Sequence, residues 1–420
     1  MLRIGISAVF FCSLLMGCVR PDDGPSPFLG LSPQETGTAP LPEGPVQGPA
    51  FFILSDQAFV YGLDAQEVDI AAIVKERSGL LAAYIEEVGA ERLTGGEILE
   101  KVSQDYSLHP LMLMALVEYI GGWMTQTIDS AASIHPDHGE TSLSENIFTQ
   151  LSWAADTLNY GFYAHRVGGL SSFESIDGVP IDLLPEINSA TAALQYTLAQ
   201  ILGYQAWTLA TGPLGLILEF RALADETVGE EAPMGALADV RQPPMELPFA
   251  SGEEWFFTSG PHPAWGSGAA WGAIDLAPDE EGVGCYQSSA WVRAVADGVI
   301  TRTGDGMVMH DLDGDGNEGT GWVVLYMHIA PEEMVLESSV VSAGDAIGHP
   351  SCAGGPATGT HLHIARKYNG EWIPADQQAP FDLSGWVSSG SGSMYDGFLT
   401  RGTIRVAADG FPTAINKVYH

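Results

Sequence analysis

Positive charge is scarce in this chain of 420 residues. Sixteen Lys and Arg face 53 Asp and Glu, for a formal net charge of −37. The four lysines, Lys75, Lys101, Lys367 and Lys417, do not cluster. A phosphate backbone is bound through grouped basic side chains, so nucleic acid is excluded as a partner. The acidity reads as a solvated surface and says little about substrate. A membrane-spanning segment is also missing at the N-terminus, where the apolar run Ile4 to Met16 falls short of the roughly 20 residues a spanning helix needs. Cysteine is sparse: only Cys12, Cys18, Cys285 and Cys352 occur.

What is present at the N-terminus is an export pattern. Arg3 precedes the apolar run, and Leu15-Met16-Gly17-Cys18 resembles the lipobox of bacterial lipoproteins. That resemblance implies a signal peptide over 1–17 and a lipidated Cys18 that anchors the chain to the outer face of a bacterial membrane, in the cell envelope. An ordinary cleaved signal with a chance cysteine is the alternative. With Cys12 removed and Cys18 acylated, Cys285 and Cys352 are left, both in Gly-flanked loops. In an oxidising compartment they are expected to form a disulfide, with two unrelated thiols as the alternative.

Composition divides the rest. Residues 18–50 are rich in Pro, Gly, Ser and Thr and read as a flexible tether. Residues 51–224 carry helical periodicity and read as an all-α domain. Asp64-Ala65-Gln66-Glu67 is a candidate cap, followed by Ile70, Ile73, Val74, Leu81, Tyr84, Ile85 and Val88 at helical spacing. Pro110 opens a second helix, Ser142-Leu143-Ser144-Glu145 a third, and a fourth follows Pro185. Residues 225–248 are acidic and Pro-rich, as an interdomain linker would be. Over 249–420, Gly-rich turns alternate with short β-rich runs, with Asp297-Gly298 as a candidate hairpin turn. The expected fold class is α+β multidomain, with the N-terminal domain all-α and the C-terminal one antiparallel and β-rich.

The chemistry concentrates in that last region. In Thr358-Gly359-Thr360-His361-Leu362-His363-Ile364, two histidines two positions apart on a strand share one face, while Leu362 and Ile364 turn to a core. In Val323-Val324-Leu325-Tyr326-Met327-His328, alternation puts Val324, Tyr326 and His328 together, which leaves Tyr326 either lining a cleft or packed. Upstream stand His262 and Asp275. Four histidines and one aspartate suffice for three zinc ligands, a water in the fourth position and two further imidazoles to manage protons.

These residues resemble the lysostaphin/LytM-type zinc endopeptidases, and within them the beta-lytic subgroup, over roughly Pro243 to His420. In that subgroup the first histidine lies well ahead of the aspartate, and His262 precedes Asp275 by 275 − 262 = 13 positions. In the shorter spacing the histidine would stand where this chain has Trp271. The resemblance implies that His262, Asp275 and His363 bind Zn2+, that His361 is the general base, and that His328 donates to the oxyanion. It implies an envelope-anchored metalloendopeptidase that hydrolyses stem peptides or cross-bridges of peptidoglycan. The alternative is a peptidoglycan-binding regulator of other wall hydrolases that does not itself hydrolyse.

Two weaker motifs remain. Gln104 to Trp123 is similar to the active-site helix of lysozyme-like lytic transglycosylases, but Ile120 occupies the position of the catalytic glutamate. Glu118, two residues earlier, points about 200° away on a helix, so a lysozyme-like domain that binds glycan or serves as a spacer is expected there without cleavage, with a helical bundle unrelated to lysozyme as the alternative. Asp311, Asp313 and Asp315 alternate like the start of a calcium loop, but Trp322 takes the place of the closing glutamate. Ca2+ and a polar hairpin tip both stay open there.

Overall fold

A computed structural model describes residues 40–136, 146–224 and 240–420. The signal peptide, Cys18, most of the tether, the cap expected at Ser142 and residues 225–239 of the expected linker lie outside the described residues. The N-terminal half is built on α1 (Ile70–Arg77), α2 (Leu80–Ala83), α3 (Gly95–Tyr106), α4 (Pro110–Gly121), α5 (Ile147–Arg166), α6 (Ser189–Ile201), α7 (Tyr204–Ala210) and α8 (Leu216–Leu223). Short strands punctuate them: β1 (Val46–Gln47), β2 (Ile85–Val88), β3 (Glu91–Thr94), β4 (Ser172–Glu174) and β5 (Pro180–Asp182).

Local chemistry sets the helix ends. Thr94 and Glu97 form a reciprocal capping box at the start of α3. Pro110 is the first residue of α4, where its missing N–H costs nothing. Asn146 and Asn188 cap α5 and α6 by accepting from Thr149 N and Thr191 N. The continuous helix expected from Ile70 to Val88 does not form. Its capping residue is Asp69 rather than Asp64, and Ser78 ends α1 in the left-handed region with φ 59°. Gly79 then lies so close to the Met124 backbone that no Cβ would fit. Beyond α2, Ile85 and Val88 belong to the β2–β3 hairpin, where residues three apart lie on opposite faces and Ile85 is exposed.

The C-terminal half is nearly all strand: β6 (Glu254–His262), β7 (Ala273–Pro278), β8 (Val292–Arg293), β9 (Gly298–Gly304), β10 (Met307–Asp311), β11 (Trp322–Met327), β12 (Val340–Val341), β13 (Ala346–Gly348), β14 (Leu362–Tyr368), β15 (Glu371–Trp372), β16 (Asp382–Leu383), β17 (Trp386–Gly390), β18 (Gly397–Arg401), β19 (Ile404–Ala407) and β20 (Lys417–Tyr419). The main sheet runs β12-β9-β10-β11-β14-β7-β6-β20, with β15 beside β14, and β16 to β19 form a separate antiparallel sheet. The α+β class with an antiparallel C-terminal sheet therefore holds. Asp297-Gly298 is not a hairpin turn: β8 pairs with β13, while β9 starts at Gly298 and pairs with β10 and β12.

Strand alternation gives the main sheet two different neighbours. Ile274, Leu276, Val324, Tyr326, Leu362 and Ile364 face one core, together with Val308, Phe381 and Trp386. Ala273, Met307, Met309, Val323, Leu325 and Ala365 face the other way, into the core that also contains Phe59, Leu108, Leu158 and Phe162 of the helical half. The helices thus cover one face of the sheet. Polar ties cross the same boundary: Arg302 bonds Asp105 on α3 at 2.8 Å, Arg166 on α5 bonds Glu371, and Trp372 N donates to Tyr163 Oη at 2.9 Å. Met245, Leu247 and Phe249 are buried in the opposite core, so the stretch just ahead of β6 is packed on the sheet.

Candidate metal centre and catalytic cleft

Register brings the site together. In the β14–β7 pairing His363 stands directly opposite Asp275, and both project to the face that the helical half covers. β6 carries irregularities between Phe257 and Ser259 and again between Ser259 and His262. Such a bulge re-aims a side chain, and here His262 reaches the same spot. His262 Nε2 lies 3.0 Å from His363 Nδ1 and 3.3 Å from Asp275 Oδ1, and His363 Nδ1 lies 3.4 Å from that same oxygen. All three residues are buried.

Hydrogen bonding on the outer edges decides what these atoms offer. His262 Nδ1 is 2.8 Å from Gly260 O, and His363 Nε2 is 3.1 Å from Ala264 O. Carbonyls only accept, so each ring carries its proton on the outer nitrogen and turns a bare lone pair inward. Asp275 Oδ1 is buried without a hydrogen-bond partner. Two lone pairs and an unpartnered carboxylate oxygen therefore point at one another, an arrangement with the donor set and spacing to hold a metal ion. Tetrahedral ligands at about 2.1 Å would lie about 3.4 Å apart, close to the three separations seen. Burial opposes ionisation of Asp275, but His262 and His361 outweigh it and hold the carboxyl well below its ordinary value. Burial disfavours a charged His262, yet Asp275 overrides it and the net shift is upward. At His363 burial prevails and the shift is downward.

Two further histidines stand beside this group. His361 Nδ1 is 2.7 Å from Gly359 O, and His361 Nε2 is 3.7 Å from Asp275 Oδ2. Its side chain is 17% exposed, nearly double that of Asp275, which places it at the mouth. His328 Nδ1 is 2.8 Å from Ala353 O, and its ring centroid lies 4.4 Å from that of His361. Strand alternation would have sent His328 to the buried side with Tyr326. Instead His328 sits just past the end of β11 with φ 65°, and this left-handed residue swings the ring round to the metal side. Burial first, and then His361, pull its pKa down to about 4. Tyr326 resolves to the packing role: it is fully buried, and its hydroxyl accepts from Val295 N at 2.9 Å.

Cys285 and Cys352 are joined in a disulfide that closes 67 residues. It links the loop beside Gly284, whose carbonyl accepts from Thr360 N at 3.0 Å, to the loop whose Ala353 carbonyl orients His328. Sequence reasoning missed Tyr395, whose ring stacks on His262 at 4.9 Å and whose carbonyl accepts from Gly260 N at 2.7 Å. The one available signal was an aromatic residue set in a Gly/Ser-rich run.

The two weaker motifs are explained locally. Glu118 Oε2 accepts from Met124 N at 2.8 Å, and Oε1 accepts from Thr125 Oγ1, so this carboxylate ties off the end of α4. Asp311, Asp313 and Asp315 converge, but Asp311 accepts from Asp313 N and Gly316 N, and Asp315 from Asn317 N and Thr320 Oγ1. The loop is a polar tip of the β10–β11 hairpin, held by its own hydrogen bonds, and nothing there supports calcium.

Residues 52–234 match the family model described as LasA, N-terminal domain. Over 346 residues, 76% of this chain and 74% of the relative, the chain is 26% identical to Protease LasA of Pseudomonas aeruginosa strain UCBPP-PA14. It is 25% identical over the same span to Protease LasA of strain PAO1. Among solved structures, the M23 metalloprotease pseudoalterin from the deep sea is 24% identical with a TM-score of 0.33, over 40% of this chain and 96% of that one.

Proposed function

We propose that this chain, a metalloprotease of the lysostaphin/LytM type by its likeness to Protease LasA, is a zinc endopeptidase that cuts peptide bonds in the stem peptides or cross-bridges of peptidoglycan. One observation carries the reading: bare nitrogens of His262 and His363 and the unpartnered Asp275 Oδ1 meet at a single buried point. His262, Asp275 and His363 would hold the metal. When bound, zinc polarises a carbonyl and lowers the pKa of a water toward 7.

The remaining chemistry belongs to the two outer histidines. Both keep their proton on Nδ1 through a backbone carbonyl, so both present a bare Nε2 to the cleft. His361, at the mouth, takes the proton of the attacking water. His328 rests neutral and can donate only once it has been protonated; the proton that His361 takes from the water, passed between rings whose centroids lie 4.4 Å apart, would supply it. Negative charge growing on the substrate oxygen favours that protonation, so the oxyanion hydrogen bond forms as the transition state is approached, where it is worth most. The backbone carbonyls of Gly359 and Ala353 fix both rings in advance, which is the usual role of partners behind a reacting histidine.

Export fits the disulfide in the peptidase half. The lipobox-like Cys18 would tether the enzyme at the envelope through the 18–50 segment, within reach of wall peptides. Incubating the purified chain with peptidoglycan sacculi and identifying released fragments by mass spectrometry tests the proposal. New amino termini within stem or bridge peptides are expected. Intact peptides with the protein merely bound would leave the non-hydrolytic reading.

A further inference from the structure

His328 holds a left-handed backbone, and a residue other than glycine keeps one only where its surroundings fix it. The strip from His349 to Ser351 runs between the two outer histidines. Ile329 pairs with Pro350 on one side, and Ser351 pairs with His361 on the other. Within that strip Ser351 touches both histidines. Its N–H donates to His328 O at 2.6 Å, and its carbonyl accepts from His361 N at 3.4 Å. Its buried side chain makes two further bonds: Oγ donates to the same His328 oxygen at 3.0 Å and accepts from Ala353 N at 3.0 Å. The Ala353 carbonyl in turn accepts from His328 Nδ1 at 2.8 Å.

The hydroxyl therefore closes a ring of bonds around one imidazole. It holds His328 by the backbone and also holds the residue whose carbonyl backs the His328 ring. The surroundings keep this loop in place from outside: Cys352 is bonded to Cys285, and a Cβ on Gly306, whose φ is +73°, would strike the Ala353–Gly354 peptide. Ser351 adds the tie from the loop to the His328 backbone. We infer that Ser351 is a positioning residue for the peptidase reaction, acting through His328. Its Oγ keeps the Ala353 carbonyl on Nδ1, which keeps the proton on that nitrogen and a bare Nε2 turned to the cleft. The inference rests on the proton-handling role proposed above for His328.

The test uses the full chain with Ser351→Ala, Ser351→Thr, His328→Ala and the double variant of Ser351→Ala with His328→Ala. Ring nitrogens are read by NMR of protein carrying isotope-labelled histidine, and the His328 signals are identified by their loss in His328→Ala. Removing Oγ should move the His328 signals away from the pattern of a ring protonated on Nδ1, and Ser351→Thr, which keeps a hydroxyl, should restore it. Displacing a reacting group costs rate rather than binding, so kcat for peptide release should fall about tenfold while KM and zinc content stay near wild type. Because Ser351 acts through His328, the double variant should be no slower than His328→Ala alone. Unfolding midpoints separate these effects from a loss of fold, and if Ser351→Ala does not fold, Ser351→Gly takes its place. Wild-type His328 signals in a folded variant without the hydroxyl, or a further tenfold loss in the double variant, would overturn the inference. A wild-type chain that releases no peptides would overturn the functional reading, while the NMR comparison would still decide whether Ser351 orients His328.

Discussion

Replacing Glu318 by glutamine should cost about 3 kcal/mol of stability, and the structure sets that size. The carboxylate is 7% exposed at the boundary between the helices and the sheet. It accepts from Arg302 Nε at 2.6 Å and Nη2 at 3.0 Å, from Lys367 Nζ at 3.1 Å and from Thr301 Oγ1 at 3.0 Å. Burial works against its charge, but Arg302 and Lys367 outweigh burial and draw its pKa down from 4.5 to about 2. A displacement of that order corresponds to about 3 kcal/mol of stability. Part is returned at Lys367, where burial prevails over Glu318 and holds the ammonium below the ordinary lysine range. Because the folded-state pKa is depressed, the contribution is fully present above pH 4.5 and is lost as pH falls toward 2. Urea unfolding of the wild type between pH 6 and pH 2.5 should show stability falling across that window, and Glu318→Gln should flatten much of the fall. A variant within about 1 kcal/mol of wild type at neutral pH would refute the reasoning, since it would mean that the buried Lys367 and the half-buried Arg302 do not need this anion.

Three other outcomes follow from named contacts. Cys285→Ser opens a closed loop of 67 residues, so it should lower stability by about 3 kcal/mol and reduce turnover more than zinc content, measured on one preparation by metal analysis and peptide release. Glu118→Gln should cost about 1 kcal/mol, because the carboxylate ties off α4. It should leave the release of sugar fragments from peptidoglycan at background, as in the wild type; sugar release abolished by this change would assign the helices a glycosidase. Cys18→Ser should abolish incorporation of a fatty-acid probe in cells, and an unlabelled wild type would remove the anchor from the account.

Much of the site was legible because it depends on short-range pattern. The alternation in His361-Leu362-His363 sends both rings to one face, and the β14–β7 register then sets His363 against Asp275. Three features were not legible, and each depends on a contact far away in sequence. His328 escapes the face that strand alternation assigns it because one residue past β11 turns left-handed. Tyr395 reaches His262 from a hairpin more than a hundred residues later. Asp156 meets Ser267 across the boundary between halves, a contact that composition cannot show. Locally, apolar spacing from Ile70 to Val88 suited a helix, but Ser78 and Gly79 broke it and the last part paired as a hairpin.

The central claim divides the five residues into a metal-holding group and a proton-handling pair, and one paired measurement tests it most directly. Zinc content and peptide release from peptidoglycan are measured on the wild type, His363→Ala and His361→Ala. His363→Ala should lose zinc and activity together, because it removes one of three protein ligands. His361→Ala should keep most of its zinc while turnover drops about a hundredfold, or roughly 3 kcal/mol in the barrier. Normal zinc in His363→Ala, or none in His361→Ala, would contradict the assignment.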